Sequence, residues 1–118
     1  MGIMLMAVGD TYCARDEPNP AMEKVSHLRK TADVFFCNLE GPVTNKPHVR
    51  GPYPRPQSLK TVDMLCDLGF CVVVSFANNH ALDCGYDGFF QTLELLKKNG
   101  IRYVGAGKDF AEARSHSC

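Results

Sequence analysis

Three short polar stretches of this 118-residue chain each follow an apolar run: Gly9-Asp10, Asn38-Leu39-Glu40 and Asn78-Asn79-His80. Together they hold two carboxylates, three side-chain amides and one imidazole. Oxygen and nitrogen donors of this kind suit a divalent cation such as Mn²⁺, Mg²⁺, Fe or Zn²⁺, with no thiolate required. A cation held there polarises a phosphoryl oxygen and lowers the pKa of a bound water, which makes a nucleophile near neutral pH. An imidazole such as that of His80 has a proton to give to a leaving group. Each residue also has a structural alternative. Gly9-Asp10 is a common turn and helix cap, Asn78 and Asn79 satisfy turns, His80 suits a core position, and Glu40 suits a salt bridge.

These side chains converge only if the apolar runs before them are neighbouring strands. Residues 3 to 8, Ile-Met-Leu-Met-Ala-Val, predict a first strand terminated by Gly9-Asp10, and Val34-Phe35-Phe36-Cys37 predicts a second. Phe70 to Val74 predicts a third; having no alternation, it suits a strand covered on both faces. Ile101 to Val104 predicts a fourth, ending in Gly105-Ala106-Gly107, which lacks the third glycine of a dinucleotide fingerprint. Between the strands, Met22, Val25, Leu28 and Ala32 recur at helical spacing, as do Leu59, Val62, Leu65 and Leu68 before Gly69. The clearest helix follows Gly85, with Tyr86, Phe89, Phe90, Leu93 and Leu96 on one face, Lys97-Lys98 in its last turn and Asn99-Gly100 after it. Asp109 caps a last helix. The order β-α-β-α-β-α-β predicts an α/β fold with right-handed crossovers and a largely parallel sheet. Such sheets bind ligands outside the carboxyl ends of their strands, where all three polar stretches fall.

The segment from Gly41 to Pro56 carries five prolines and two glycines and no hydrophobic period, so it predicts a long loop. Its Lys46, His48, Arg50 and Arg55 offer positive charge to an anion, or to solvent alone. His27 and His48 have no partner at useful spacing and read as surface residues, and His116 falls in a polar tail. The six cysteines form no CxxC pair and read as free thiols; Cys13 and Cys84 lie near Asp10 and His80 in sequence, but no base is spaced to activate them.

Composition bounds the rest. The length allows one domain, residues 1–118. Thirteen basic and thirteen acidic residues leave no net charge, which excludes the basic footprint of a nucleic-acid binder. No apolar run approaches the ~20 residues of a membrane span. Met1 to Val8 has no basic flank, so it reads as a strand rather than a signal peptide, with a cytoplasmic location expected.

The residues Gly9-Asp10, Asn38-Leu39-Glu40-Gly41-Pro42-Val43-Thr44, Ala77-Asn78-Asn79-His80-Ala81-Leu82-Asp83 with Gly85, and Gly105-Ala106-Gly107 stand in an order that resembles the poly-gamma-glutamate capsule synthesis (CapA-like) family, itself similar to calcineurin-like metallophosphoesterases. The resemblance runs from about Ala7 to Arg114. It implies the amino-terminal half of a metallophosphoesterase-like α/β sandwich, with Asp10, Glu40 and Asn79 as metal ligands and His80 as the catalytic acid. Asn38, Asn78 and Asp83 are further site candidates within the matching motifs. The metallophosphoesterase first block carries a histidine two residues after its aspartate, where this chain has Tyr12, and members continue well beyond this length. A truncated chain is therefore expected. Two function classes follow: a metal-dependent hydrolase of an anionic substrate, or a non-catalytic module that binds an anionic polymer through the 41–56 loop.

Overall fold

The computed structural model describes residues 1–14, 16, 23–24, 27, 31–51, 55–68 and 71–115. The predicted helix carrying Met22, Val25 and Leu28 lies outside the described residues, as do Gly69, Phe70 and His116. Four strands, β1 (Leu5–Thr11), β2 (Val34–Leu39), β3 (Val72–Ser75) and β4 (Arg102–Val104), alternate with the helices α1 (Thr61–Cys66), α2 (Gly85–Lys98) and α3 (Phe110–Arg114). All strand pairs are parallel and the spatial order is β1-β2-β3-β4, so the predicted α/β architecture is present.

Strands laid down in sequence order step the same way at every connection. Right-handed crossovers then put the connecting helices on one face of the sheet. Burial follows that rule. Phe35, Cys37, Leu39, Val72, Val74 and Tyr103 are buried, and they pack with Val62, Met64 and Leu65 of α1 and Leu93 and Leu96 of α2. Their neighbours Val34, Phe36, Val73 and Val104 are only half-buried, and Leu5 is 60% exposed. The expectation of a third strand fully covered on both faces is thus corrected: Val72 and Val74 of β3 are buried, while Val73 and Ser75 on the other face are half-buried.

β1 and β2 run further than their apolar cores. Gly9-Asp10 lies inside β1 rather than ending it, and β2 continues through Asn38-Leu39. The β1–β2 register shifts between Ala7, opposite Phe36, and Asp10, opposite Asn38, so three residues of β1 span two of β2. The extra residue has a chemical consequence. Positions 7 and 10 of a regular strand face opposite sides, and the bulge returns Asp10 to the face that holds Asn38. Gly9 allows the irregularity without a side chain to place.

α2 ends as expected, with Asn99 at its carboxyl cap and Gly100 at φ 70°. Its predicted apolar face is narrower than the sequence suggests. Leu93 and Leu96 are buried and Phe89 packs on the core, but Tyr86 and Phe90 face solvent. Gly88 and Thr92 take the inner side instead, because the loop at Val43 and Thr44 crosses α2 there. Val43 exchanges hydrogen bonds with the Thr92 hydroxyl, and a Cβ on Gly88 would lie 3.3 Å from the Thr44 methyl group. Asp109 caps α3 as predicted, accepting from the Glu112 N–H at 2.8 Å.

Candidate functional site

Asp10, Asn38 and Ser75 stand in one row across β1, β2 and β3, at the carboxyl edge of the sheet. The Asn38 amide uses both of its protons there, donating to Asp10 Oδ1 at 2.7 Å and to Glu40 Oε2 at 2.6 Å. Two like charges are thereby bridged by one neutral dipole. Asn38 in turn accepts from Asn78 Nδ2 at 3.2 Å, and the same Asn78 amide donates to the Leu39 carbonyl at 2.7 Å. Asn78 Oδ1 accepts the His80 N–H at 3.1 Å. Asn78 therefore fastens the turn after β3 to the end of β2 and uses both of its amide protons doing so.

His80 is held from its other side. Its Nδ1 lies 2.7 Å from Asp83 Oδ2, three residues on, and its Nε2 lies 3.7 Å from Glu40 Oε1. A carboxylate acceptor on Nδ1 assigns the proton to that nitrogen in the neutral ring, leaving Nε2 to face Glu40. The structure thus brings Asp10, Asn38, Glu40, Asn78, His80 and Asp83 into one connected network. Asn79 is separate from it: it is exposed, on the wall of an adjacent cleft of about 720 Å³. Asn78 is shared with that cleft, which is otherwise lined mainly by Phe76, Phe89, Phe110 and small residues, with Arg50 and Asp109 as its charged groups.

The Glu40 turn has a support that its sequence did not advertise. Gln57 is wholly buried; its Oε1 accepts the Cys13 N–H at 2.8 Å, and its Nε2 donates to the carbonyls of Glu40 and Gly41 at 3.2 and 3.1 Å. Gly41 itself has φ 90°, open to glycine but strained for other residues, with its missing Cβ directed at His80 Cβ 3.5 Å away. Replacing Gln57 by leucine leaves three buried backbone groups without their partner. We expect a loss of about 1–3 kcal/mol, read as a lower denaturant midpoint with unchanged m-value. A midpoint equal to the parent's excludes this role.

His48 is the clearest departure from the sequence reading. Predicted at the surface without a partner, its side chain is 7% exposed, and its Nε2 lies 3.4 Å from Asp83 Oδ2. No motif spacing connects positions 48 and 83; the loop fold does. Tyr12, standing where the metallophosphoesterase motif has histidine, turns its hydroxyl to the Arg55 carbonyl at 2.7 Å. Cys13 and Cys84 are buried free thiols. Burial pushes the Cys84 thiol above its usual range, and the Asp83 carboxylate beside it adds to the shift, so this sulfur stays protonated and a poor nucleophile. His27 is exposed, as expected.

As a cation site the network is partial. Among the described residues no group of three or more histidine, cysteine, aspartate or glutamate side chains is placed to hold a metal ion. The donors that are present fit a hard divalent cation in kind. Asp10 Oδ1 and Glu40 Oε2 accept from the same Asn38 amide nitrogen, at 2.7 and 2.6 Å, which sets the two carboxylates side by side.

Residues 3–118 match the family model described as bacterial capsule synthesis protein PGA_cap. The chain is 50% identical over 101 residues to a probable polyglutamine synthesis accessory protein of Mycobacterium tuberculosis, covering 80% of this chain and 26% of that protein. It is 31% identical over 93 residues to the PGA biosynthesis protein CapA of Bacillus subtilis, covering 76% and 24%. An uncharacterized protein of Sinorhizobium fredii is 30% identical over 122 residues, covering 95% and 26%. The chain spans about a quarter of the length of these relatives. No helix among the described residues is long and apolar enough to cross a membrane.

Proposed function

This chain belongs to the bacterial capsule synthesis protein family PGA_cap, and from that premise we propose that it carries part of a metallophosphoesterase-type hydrolytic centre. The observation that supports the reading most is the His80 imidazole, with Nδ1 held by Asp83 and Nε2 directed at the Glu40 side of a two-carboxylate pair. Asp10 and Glu40 would hold a divalent cation, with the Asn79 amide at the adjoining cleft wall as a further oxygen donor. Such a cation, when bound, supplies positive charge to a phosphoryl oxygen and a more acidic water. The chain's own part is proton management. Glu40 and Asp83 stand one at each ring nitrogen, so a proton on Nε2 lies toward the carboxylate pair and one on Nδ1 toward Asp83. His80 Nε2 then delivers its proton to the leaving oxygen as water oxygen bonds to phosphorus and the ester P–O bond breaks. Asp83 holds the ring through Nδ1 while the proton leaves Nε2.

Calorimetric titration of Mn²⁺ and Zn²⁺ into the chain tests the carboxylate assignment. We expect saturable binding that Glu40→Ala and Asn79→Ala each weaken by at least about tenfold. Binding by Glu40→Ala equal to the parent's excludes Glu40 as a ligand.

A second reading has its own support. Arg50 lines the cleft with Asn78 and Asn79, opposed in charge there by Asp109, and two relatives are named for PGA biosynthesis and polyglutamine synthesis. A module that binds an anionic polymer there would keep its affinity in chelator and in His80→Ala, and lose it in Arg50→Ala. Hydrolysis has the opposite dependence on chelator and His80.

A further inference from the structure

We propose that His48 is a positioning residue for His80, acting through the Asp83 carboxylate; this rests on the role given to His80 above. Three observations place it there. His48 Nδ1 accepts the backbone N–H of Arg50 at 3.1 Å, so the proton of the neutral ring sits on Nε2. That Nε2 is buried, has no hydrogen-bond partner within normal geometry, and lies 3.4 Å from Asp83 Oδ2. The same oxygen holds His80 Nδ1 at 2.7 Å.

The backbone repeats the connection, because the Val49 N–H donates to the Asp83 carbonyl at 2.7 Å. The 45–51 loop is thus fastened to the residue that orients the imidazole, through a main-chain bond and a facing side chain. A carboxylate that accepts from one imidazole alone is free to rotate about its last bond. A second imidazole packed 3.4 Å from the same oxygen limits that rotation, and with it the direction from which His80 is held. His48 touches no reacting atom in this arrangement. A purely structural His48 would pack the loop and leave the protonation pattern of His80 untouched.

The test uses the full chain labelled with ¹⁵N at histidine, in long-range ¹H–¹⁵N spectra that separate protonated from bare ring nitrogens. At a pH where both rings are neutral, we expect His48 with its proton on Nε2 and His80 with its proton on Nδ1. In His48→Phe the His80 ring should lose its single tautomer. In His48→Gln, whose amide nitrogen takes the place of Nε2, it should keep it. With p-nitrophenyl phosphate esters as the probe, His48→Phe lowers kcat about tenfold at unchanged KM, and His48→Gln restores it. A His48 proton on Nδ1, a single His80 tautomer in His48→Phe, or equal behaviour of the phenylalanine and glutamine variants overturns the proposal. If the phenylalanine variant does not fold, the parent's tautomers and the glutamine variant decide. The expected spectra without hydrolysis overturn the hydrolase reading alone; hydrolysis with spectra indifferent to His48 overturns the positioning role alone.

Discussion

His80→Ala is expected to lower phosphate-ester hydrolysis by about 10²–10⁴-fold, the range general acid–base groups contribute, while the chain stays folded. The side chain is 29% exposed and sits at a turn rather than in the core, so little packing is lost. The backbone bond from the His80 N–H to Asn78 Oδ1 does not depend on the side chain and should survive. Loss of rate without loss of structure therefore isolates the proton on Nε2. Asp83→Asn gives the companion result. Its amide leaves the ring orientable but removes the negative charge at Nδ1, so it should keep substrate affinity and lose rate. A His80→Ala chain hydrolysing at the parent rate, with chelator abolishing both activities, would move the acid to another group. A parent with no activity that chelator can abolish would favour the binding module instead.

The architecture was legible because apolar runs and turn residues report local structure directly. Val-Phe-Phe-Cys and Cys-Val-Val-Val mark strands whatever surrounds them, and Lys97-Lys98-Asn99-Gly100 marks a helix end. Asp10, Asn38, Glu40, Asn78, Asn79 and His80 were legible as a set because a parallel sheet sends every strand end to one edge; Asn79 nonetheless stands apart on the cleft wall, and Asp83 was signalled only by the family resemblance. What stayed hidden depends on which groups meet across the chain. Composition does not reveal that a β-bulge turns Asp10 onto the Asn38 face, nor that Gln57 reaches back to Glu40. His48 looked like loop decoration because its partner lies 35 positions away, brought near by the fold of the 45–51 loop. Tyr86 and Phe90 misled in the other direction. They fit helical spacing, but periodicity cannot tell a face that packs on the sheet from one that the 41–44 segment leaves to solvent.

Asn78→Leu should be the most damaging single change to the site's framework. Leucine has nearly the same shape, so the core loses no volume and the effect reports polar contacts alone. Three hydrogen bonds go at once, to the Leu39 carbonyl, to Asn38 Oδ1 and from the His80 N–H. At ~0.5–1.5 kcal/mol net for each, the sum is about 2–4 kcal/mol. In a domain of this size that lowers the melting temperature by roughly 10–20 °C. The functional loss follows the same path. Without Asn78, the Asn38 carbonyl is no longer fixed, its amide is free to turn, and Asp10 and Glu40 lose the donor that holds them apart at a defined spacing. Cation binding should therefore weaken even in the fraction that stays folded. Asn78→Asp separates the two sides of the amide, since it keeps an acceptor for the His80 N–H and loses both donations toward β2. If His80 placement is what matters, the aspartate variant should resemble the parent in hydrolysis. If the bridge from β3 to β2 is what matters, it should fall with the leucine variant. Melting of Asn78→Leu at the parent's temperature would mean that this network follows from the fold and does not support it.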